Sequence, residues 1–328
     1  MHRPRKPPGL PGRFLPAFPI LKQKFIVEDN PTIPILFQWS NGSVSKKVAI
    51  VTDSTAYFEP GEAEALGIHV VPLTIKLGNS TFQEGVDIDT EGLFHRQNFS
   101  GGYPVSCPPN ASAFEQLYAR LHQQTDQILS IHISGHLSKT IDRATQGAES
   151  LLGRCSIAVV DSMTTSMGLS ILAKAAAQAA QDGADLDEIV RIVRGMIPHI
   201  YMIFFVETME YLERGGRIGR AQAILGSMLN IKPILFIEDG DIIPLEKVRT
   251  TDKAIEKLFE FVSEFDNLEQ TAIIQRGQTP GKETRALQER LEQSFPNLQF
   301  PIIQYGPDLA TRVGPNALGI VVYEGLTF

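Results

Sequence analysis

The chain has 328 residues, 43% hydrophobic and 20% charged, a globular composition and not a disordered one. Its formal net charge of −7 argues against general affinity for nucleic acid, and no apolar run approaches the ~18 residues of a membrane span. The two cysteines, Cys107 and Cys155, form no CxxC or zinc pattern and suggest a reducing, cytoplasmic setting.

The opening run, "MHRPRKPPGLPGRFLPAFPI", is basic and proline-rich, and its prolines break any signal-peptide apolar core. Residues 1–45 read as a flexible N-terminal extension. The compact pattern opens at "VSKKVAIVTDST". Lys47–Asp53 is a β-branched run expected as a buried strand. His69–Leu77 reads as a second strand, with Pro72 marking an edge or irregular position. Asp89–Asn98 and Ser112–Gln123 read as helices, separated by "GYPVSCPPNA" at 102–111. That interval reads as a loop stiffened by Pro108 and Pro109, which fit neither a helix interior nor a central strand.

Gln127–Ile133 is a third strand. Ile141, Ala144, Ala148 and Leu151 recur at helical spacing, and Ser156–Ser162 is a further strand. This β-α-β-α-β order predicts a largely parallel sheet with helices on its faces. After Ser162 the composition shifts, with an alanine-rich helix, "LAKAAAQAAQ", and a second helix at Asp185–Met196. "HIYMIFFV", "IKPILFIED" and "DIIPLEKVR" read as strands, the last two joined by an Asp239-Gly240 hairpin. An amphipathic helix carrying Ile255, Leu258, Val262 and Phe265 follows. "TAIIQR", a helix from Lys282, "LQFPIIQ" and "LGIVVYE" complete a second α/β unit. Two α/β domains are therefore expected, 46–162 and 163–328, each with a largely parallel or mixed sheet flanked by helices.

"TAIIQRGQTPGKET" imitates a phosphate-binding loop. Gly277 and Gly281 are one residue too close, however, and Glu283 stands where a magnesium-binding hydroxyl is needed. His132 and His136 straddle a strand end and are no zinc pair. Cys107 as a nucleophile and Asp53 as a catalytic carboxylate keep an enzymatic reading open, although packing and turn roles also account for them.

Hydroxyls gather where parallel strands end, in "TDST" (52–55), in "SGHLSKT" (134–140) and at Ser106. Ligands of open α/β sheets bind at such carboxyl ends. Ser134 and Ser138 lie at a helix start, whose free N–H groups favour an anion, although capping alone also explains Ser138. In "YLERGGRIGRAQ" (211–222), Arg214, Arg217 and Arg220 recur every three residues around a Gly-Gly break. This run suits an acidic or phosphate-bearing partner, or a solvated turn.

The ordered set "VAIVTDSTA", "GIHVVPLTI", "GVDI", "ISGHLSKT", "VVDSMTTSMGL", "EYLERGGRIG" and "VGPNALGIVV" closely resembles the DegV family. The resemblance implies two α/β domains of the EDD fold with a ligand at their junction. It further implies a long-chain fatty acid as the ligand, no catalysis by the chain alone, no cofactor or metal, and a separate subunit of bacterial fatty acid kinase as partner. The family's head-group loop reads Thr-Ser-Gln-Pro-Ser, so Val105 and Ser106 fall on its first two positions. Ser134 and Ser138 match the second head-group segment. Arg312 stands where the family carries histidine, and is expected as counter-charge to the carboxylate. Arg214, Arg217 and Arg220 are expected to dock the kinase. The alternative is an enzyme acting on an acyl or phosphorylated small molecule through Cys107 or Asp53.

Overall fold

Short apolar runs become strands of three sheets, and the longer periodic ones become helices that cover them. The computed structural model describes residues 47–215 and 231–325. In chain order the elements to the end of the first sheet are β1 (Ala49–Asp53), α1 (Glu62–Leu66), β2 (Ile68–Val71), β3 (Thr74–Leu77), β4 (Ser80–Gln83), α2 (Thr90–Ser100), β5 (Val105–Cys107), α3 (Ala111–His122), β6 (Gln127–His132), α4 (Thr140–Ala148) and β7 (Ser156–Asp161). There follow α5 (Ser166–Gln181), α6 (Leu186–Met196), β8 (Ile200–Phe205), α7 (Glu210–Arg214), β9 (Lys232–Glu238), β10 (Asp241–Val248), α8 (Thr251–Val262), β11 (Leu268–Gln275), α9 (Lys282–Ser294), β12 (Ile302–Gln304), α10 (Pro307–Val313) and β13 (Leu318–Glu324).

The fold is mixed α/β. The first sheet is fully parallel, in the order β2-β1-β6-β7. The second is mixed, in the order β10-β9-β8-β13-β11-β12, with only β11 and β12 parallel. A small antiparallel sheet, β4-β3-β5, completes the set. The division expected near 163 falls between β7 and α5. Helix α5 packs on strands of both large sheets, and ten of its residues are buried. Its alanines follow from this position, because a helix covered on two sides needs small side chains to admit both neighbours. One core cluster accordingly joins Leu129, Ile131 and Leu172 to Phe204, Leu235 and Val321.

Two sequence expectations need correction. His69–Leu77 is not one strand. Pro72 lacks an N–H for the ladder, so the chain breaks there into β2 and β3, which belong to different sheets. The interval at 102–111 is not all loop either. Val105–Cys107 pairs with β3, Ser106 standing opposite Ile75, and the two prolines end the strand.

The Asp239-Gly240 hairpin is as expected. Both residues have positive φ, 50° and 80°, as a two-residue primed turn requires. The Gly240 carbonyl accepts the Ser134 hydroxyl at 2.6 Å. A Cβ on Gly240 would overlap that hydroxyl and lie 3.0 Å from Met163 Sδ. Gly240→Ala should therefore cost about 2 kcal/mol or more, from backbone strain and crowding together. Gly183→Ala shares the positive φ, but its Cβ would meet open space, and it should cost only about 1 kcal/mol. Urea unfolding of both variants checks the difference.

Candidate functional site

Strand ends of the parallel sheet gather most of the buried polar groups. Asp53 closes β1 and is fully buried. Its Oδ1 accepts the Thr55 N–H and hydroxyl at 3.1 and 2.6 Å. Its Oδ2 accepts the Ile133 N–H at 2.9 Å and lies 2.9 Å from His132 Nδ1. His132 Nε2 lies 2.7 Å from Ser130 Oγ, which accepts the Tyr118 hydroxyl at 2.8 Å. The contact order Asp–His–Ser matches that of a hydrolase triad. Asp53, Ser130 and His132 are all 0% exposed, so no substrate carbonyl reaches Ser130 Oγ. The array ties β1 and β6 to α3, and Asp53 is spent on it.

At the end of β7, Asp161 accepts the Gly135 and Met163 N–H groups, both at 2.9 Å. Burial pushes its carboxyl above the usual range. Met163 and Ser166, which flank the start of α5, both have φ of 53°. The hydroxyls of Thr52, Thr164, Thr165 and Ser166 are buried without a hydrogen-bond partner among the described residues. Thr52 belongs to the "TDST" hydroxyls noted in the sequence, whereas Thr164, Thr165 and Ser166 were not singled out there.

The four head-group candidates of the N-terminal half divide into two groups. Ser134 donates to Gly240 and accepts the His136 N–H at 3.2 Å. Ser138 Oγ lies 2.8 Å from Thr140 Oγ1. Both hydroxyls thus have protein partners. Ser106 and Val105 instead line a narrow cavity of about 10 Å³, no larger than one water, with Tyr211, Gly215, Thr311 and Arg312. Ser106 Oγ is buried there and has no hydrogen-bond partner among the described residues. Cys107 is not part of the lining. Cys155 lies elsewhere, its thiol pushed up to about 11 by burial, which keeps it protonated and unreactive.

Arg312 is 4% exposed and already holds an anion. Its Nε and one terminal nitrogen donate to the two Asp308 oxygens at 3.0 and 2.7 Å. This is a bidentate i,i+4 pair on α10, with Asp308 0% exposed. A second carboxylate, Glu84, adjoins it. Glu84 accepts the Asp308 N–H on one oxygen and the Ser54 hydroxyl on the other, both at 2.6 Å. Burial, with the Asp308 carboxylate nearby, pushes the Glu84 carboxyl up to about 8. Neither acid was singled out from the sequence. The i,i+4 spacing of Asp308 and Arg312 was a usable signal; for Glu84 there was none, because only tertiary contact buries it.

Of the arginine run, Arg214 pairs with Glu210 at 3.1 Å and stacks over Tyr103, 4.3 Å from the ring centre. Arg217 and Arg220 lie outside the described residues, as do residues 1–45. Among the described residues no group of His, Cys, Asp and Glu could hold a metal ion, and no helix is long and apolar enough to cross a membrane. Gly277–Gly281 is a plain turn between β11 and α9, which opens at Lys282.

Residues 47–325 match the model of an uncharacterised protein family, DegV family COG1307. The chain belongs to the DegV family. A DegV domain-containing protein of Streptomyces coelicolor is 38% identical over 282 residues, 85% of this chain and 99% of that one. Among solved structures, DegV of Bacillus subtilis, described as a fatty acid binding protein, is similar with a TM-score of 0.75 at 29% identity, covering 85% of this chain and 100% of that one. A DegV family protein from Thermus thermophilus, described by its fatty acid binding, reaches 0.77 at 27% identity with the same coverage.

The raised Glu84 carboxyl makes a prediction about stability. The folded protein binds this proton more tightly than the unfolded chain, whose glutamates titrate near ~4.3. The resulting stabilisation is complete below that value and is lost as pH rises to about 8. From about pH 5 to about pH 8, the wild type should therefore lose stability relative to Glu84→Gln. Melting temperatures of the two proteins across that range, in matched buffers, test the direction.

Proposed function

We propose that this DegV-family chain binds one long-chain fatty acid and presents it to a separate kinase subunit, without being an enzyme itself. The carboxylate is held by Ser106 and Arg312 beside Val105, and the tail is covered by the apolar interior. One observation carries the reading, the hydroxyl of Ser106, buried and without a partner among the described residues, in the same lining as Arg312. A hydroxyl in that state is costly unless something else accepts or donates to it. Arg312, although Asp308 engages its fork, brings a guanidinium to the same lining. The descriptions of the Bacillus and Thermus relatives as fatty acid binding support the ligand class. Each buried CH₂ of the tail contributes roughly 0.8 kcal/mol.

Loss of one hydrogen bond to a charged group costs about 1.5–3 kcal/mol. Ser106→Ala should therefore weaken stearic acid binding by roughly tenfold or more, measured by calorimetry on delipidated protein. Ser138→Ala, measured alongside, decides whether the start of α4 joins the head-group site. A loss of similar size puts both serines in that site. Unchanged affinity leaves Ser138 as the partner of Thr140 alone.

Kinase presentation rests on the arginine run. Arg214 shares its charge with Glu210, so Arg217 and Arg220 carry most of the docking. Arg217→Ala should leave fatty acid binding and melting temperature nearly intact while lowering kinase-dependent phosphorylation of the bound lipid, the more so at high salt. Lower thermal stability with normal phosphorylation would make the run structural.

A further inference from the structure

Arg312 does not wait for its ligand as a free cation. Asp308 occupies its fork with two hydrogen bonds, and Glu84 sits against the Asp308 backbone. The charged and titratable groups acting on Glu84 are Asp308 from α10 and Asp53 from β1, the last paired with His132; Arg312 pairs with Asp308. The Ser54 hydroxyl and the Gly306 backbone complete its surroundings. No cation pairs with Glu84 directly among the described residues. One carboxylate, Asp308, thus already occupies the guanidinium in a buried setting, and a second, Glu84, is hydrogen-bonded to the Asp308 N–H beside it. A ligand carboxylate in the Ser106–Arg312 cavity would be the third.

Resting on the head-group reading above, we infer that this site takes up a proton together with its ligand. A carboxylate bound at Arg312 drives protonation of the Glu84–Asp308 pair. Asp308 and Glu84 are therefore positioning residues that fix the charge state in which the ligand is accepted. Like charges packed in one desolvated site do not all remain ionised, and the proton resides on whichever arrangement lowers the shared repulsion. Glu84 is the natural recipient, because burial already holds its carboxyl up at about 8 in the ligand-free chain. Above that pH the free protein carries Glu84 ionised, and binding must draw a proton from solvent. Affinity then falls as pH rises, approaching tenfold per unit for one proton.

The test uses the full chain, delipidated, with lauric acid as probe, since its own carboxyl is ionised throughout the range. Titration calorimetry at about pH 9, in two buffers of different ionisation enthalpy, counts the protons exchanged. The expected result is uptake of close to one proton per ligand, and a Kd that weakens about tenfold per unit above pH 8. In Glu84→Gln that pH dependence should flatten. Binding of lauric acid with no proton uptake and a pH-independent Kd in the wild type overturns the inference alone. Absence of lauric acid binding at every pH overturns the head-group reading and this inference with it. The wild-type proton count decides the matter even if Glu84→Gln is too unstable to purify.

Discussion

Glu84 reaches from the small sheet into both halves of the chain, and its burial constrains everything around it. One oxygen holds Ser54 at the end of β1, and the other holds the first turn of α10 through the Asp308 N–H. Ser54 in turn accepts the Leu73 N–H at 2.8 Å, which fixes the chain just past the Pro72 break. A carboxylate placed this way is expensive to keep ionised, which is why its carboxyl titrates high. Asp308 escapes the same cost by pairing with Arg312. The cavity that Ser106 enters is therefore bordered by a guanidinium whose charge is already compensated.

Further cross-chain bonds repeat the pattern. Thr90 donates to the Tyr305 carbonyl at 2.5 Å, and the Tyr305 hydroxyl donates to the Gly314 carbonyl at 2.7 Å. Tyr211, part of the cavity lining, donates to Gln97 on α2 at 3.1 Å. Arg276 makes a fork to Glu91 at 3.0 and 2.9 Å. Helix α2 is thus fastened to β11, α7 and the segment before α10. The cavity inherits its rigidity from these attachments and not from β5, which is only three residues long. Rigid walls reduce the ordering cost of holding a head group.

Much of the scaffold was legible in the residues. Strands β1, β6 and β7 announced themselves as β-branched runs; β1 and β6 are buried on both faces and so have no polar alternation to hide them, while β7 is a half-buried edge strand. Asp89 and Asp185 accept the Gly92 and Glu188 N–H groups at 2.7 and 2.9 Å, and Thr250 caps α8 through the Lys253 N–H. Local bonds of this kind depend only on neighbours in sequence. The Gly277–Gly281 turn was separable from a phosphate loop by spacing alone. The small sheet was not legible. β4 is mostly exposed and β5 is short, so neither carries enough apolar period to be recognised.

The chain by itself determined where apolar segments lie, where they are capped or broken, and which hydroxyls and arginines stand at their ends. Those features follow from backbone preference and side-chain period, which act over a few residues. It did not determine which of those polar groups would be satisfied. Ser134 and Ser138 looked equivalent to Ser106, yet the turn at Gly240 and the neighbouring Thr140 take up the first two hydroxyls, and Ser106 has no partner among the described residues. Arg312 looked like a free counter-charge, yet Asp308 holds it, with Glu84 buried alongside. Satisfaction and charge state are set by groups as far apart in sequence as Glu84 and Asp308, and only packing brings those groups within hydrogen-bonding reach.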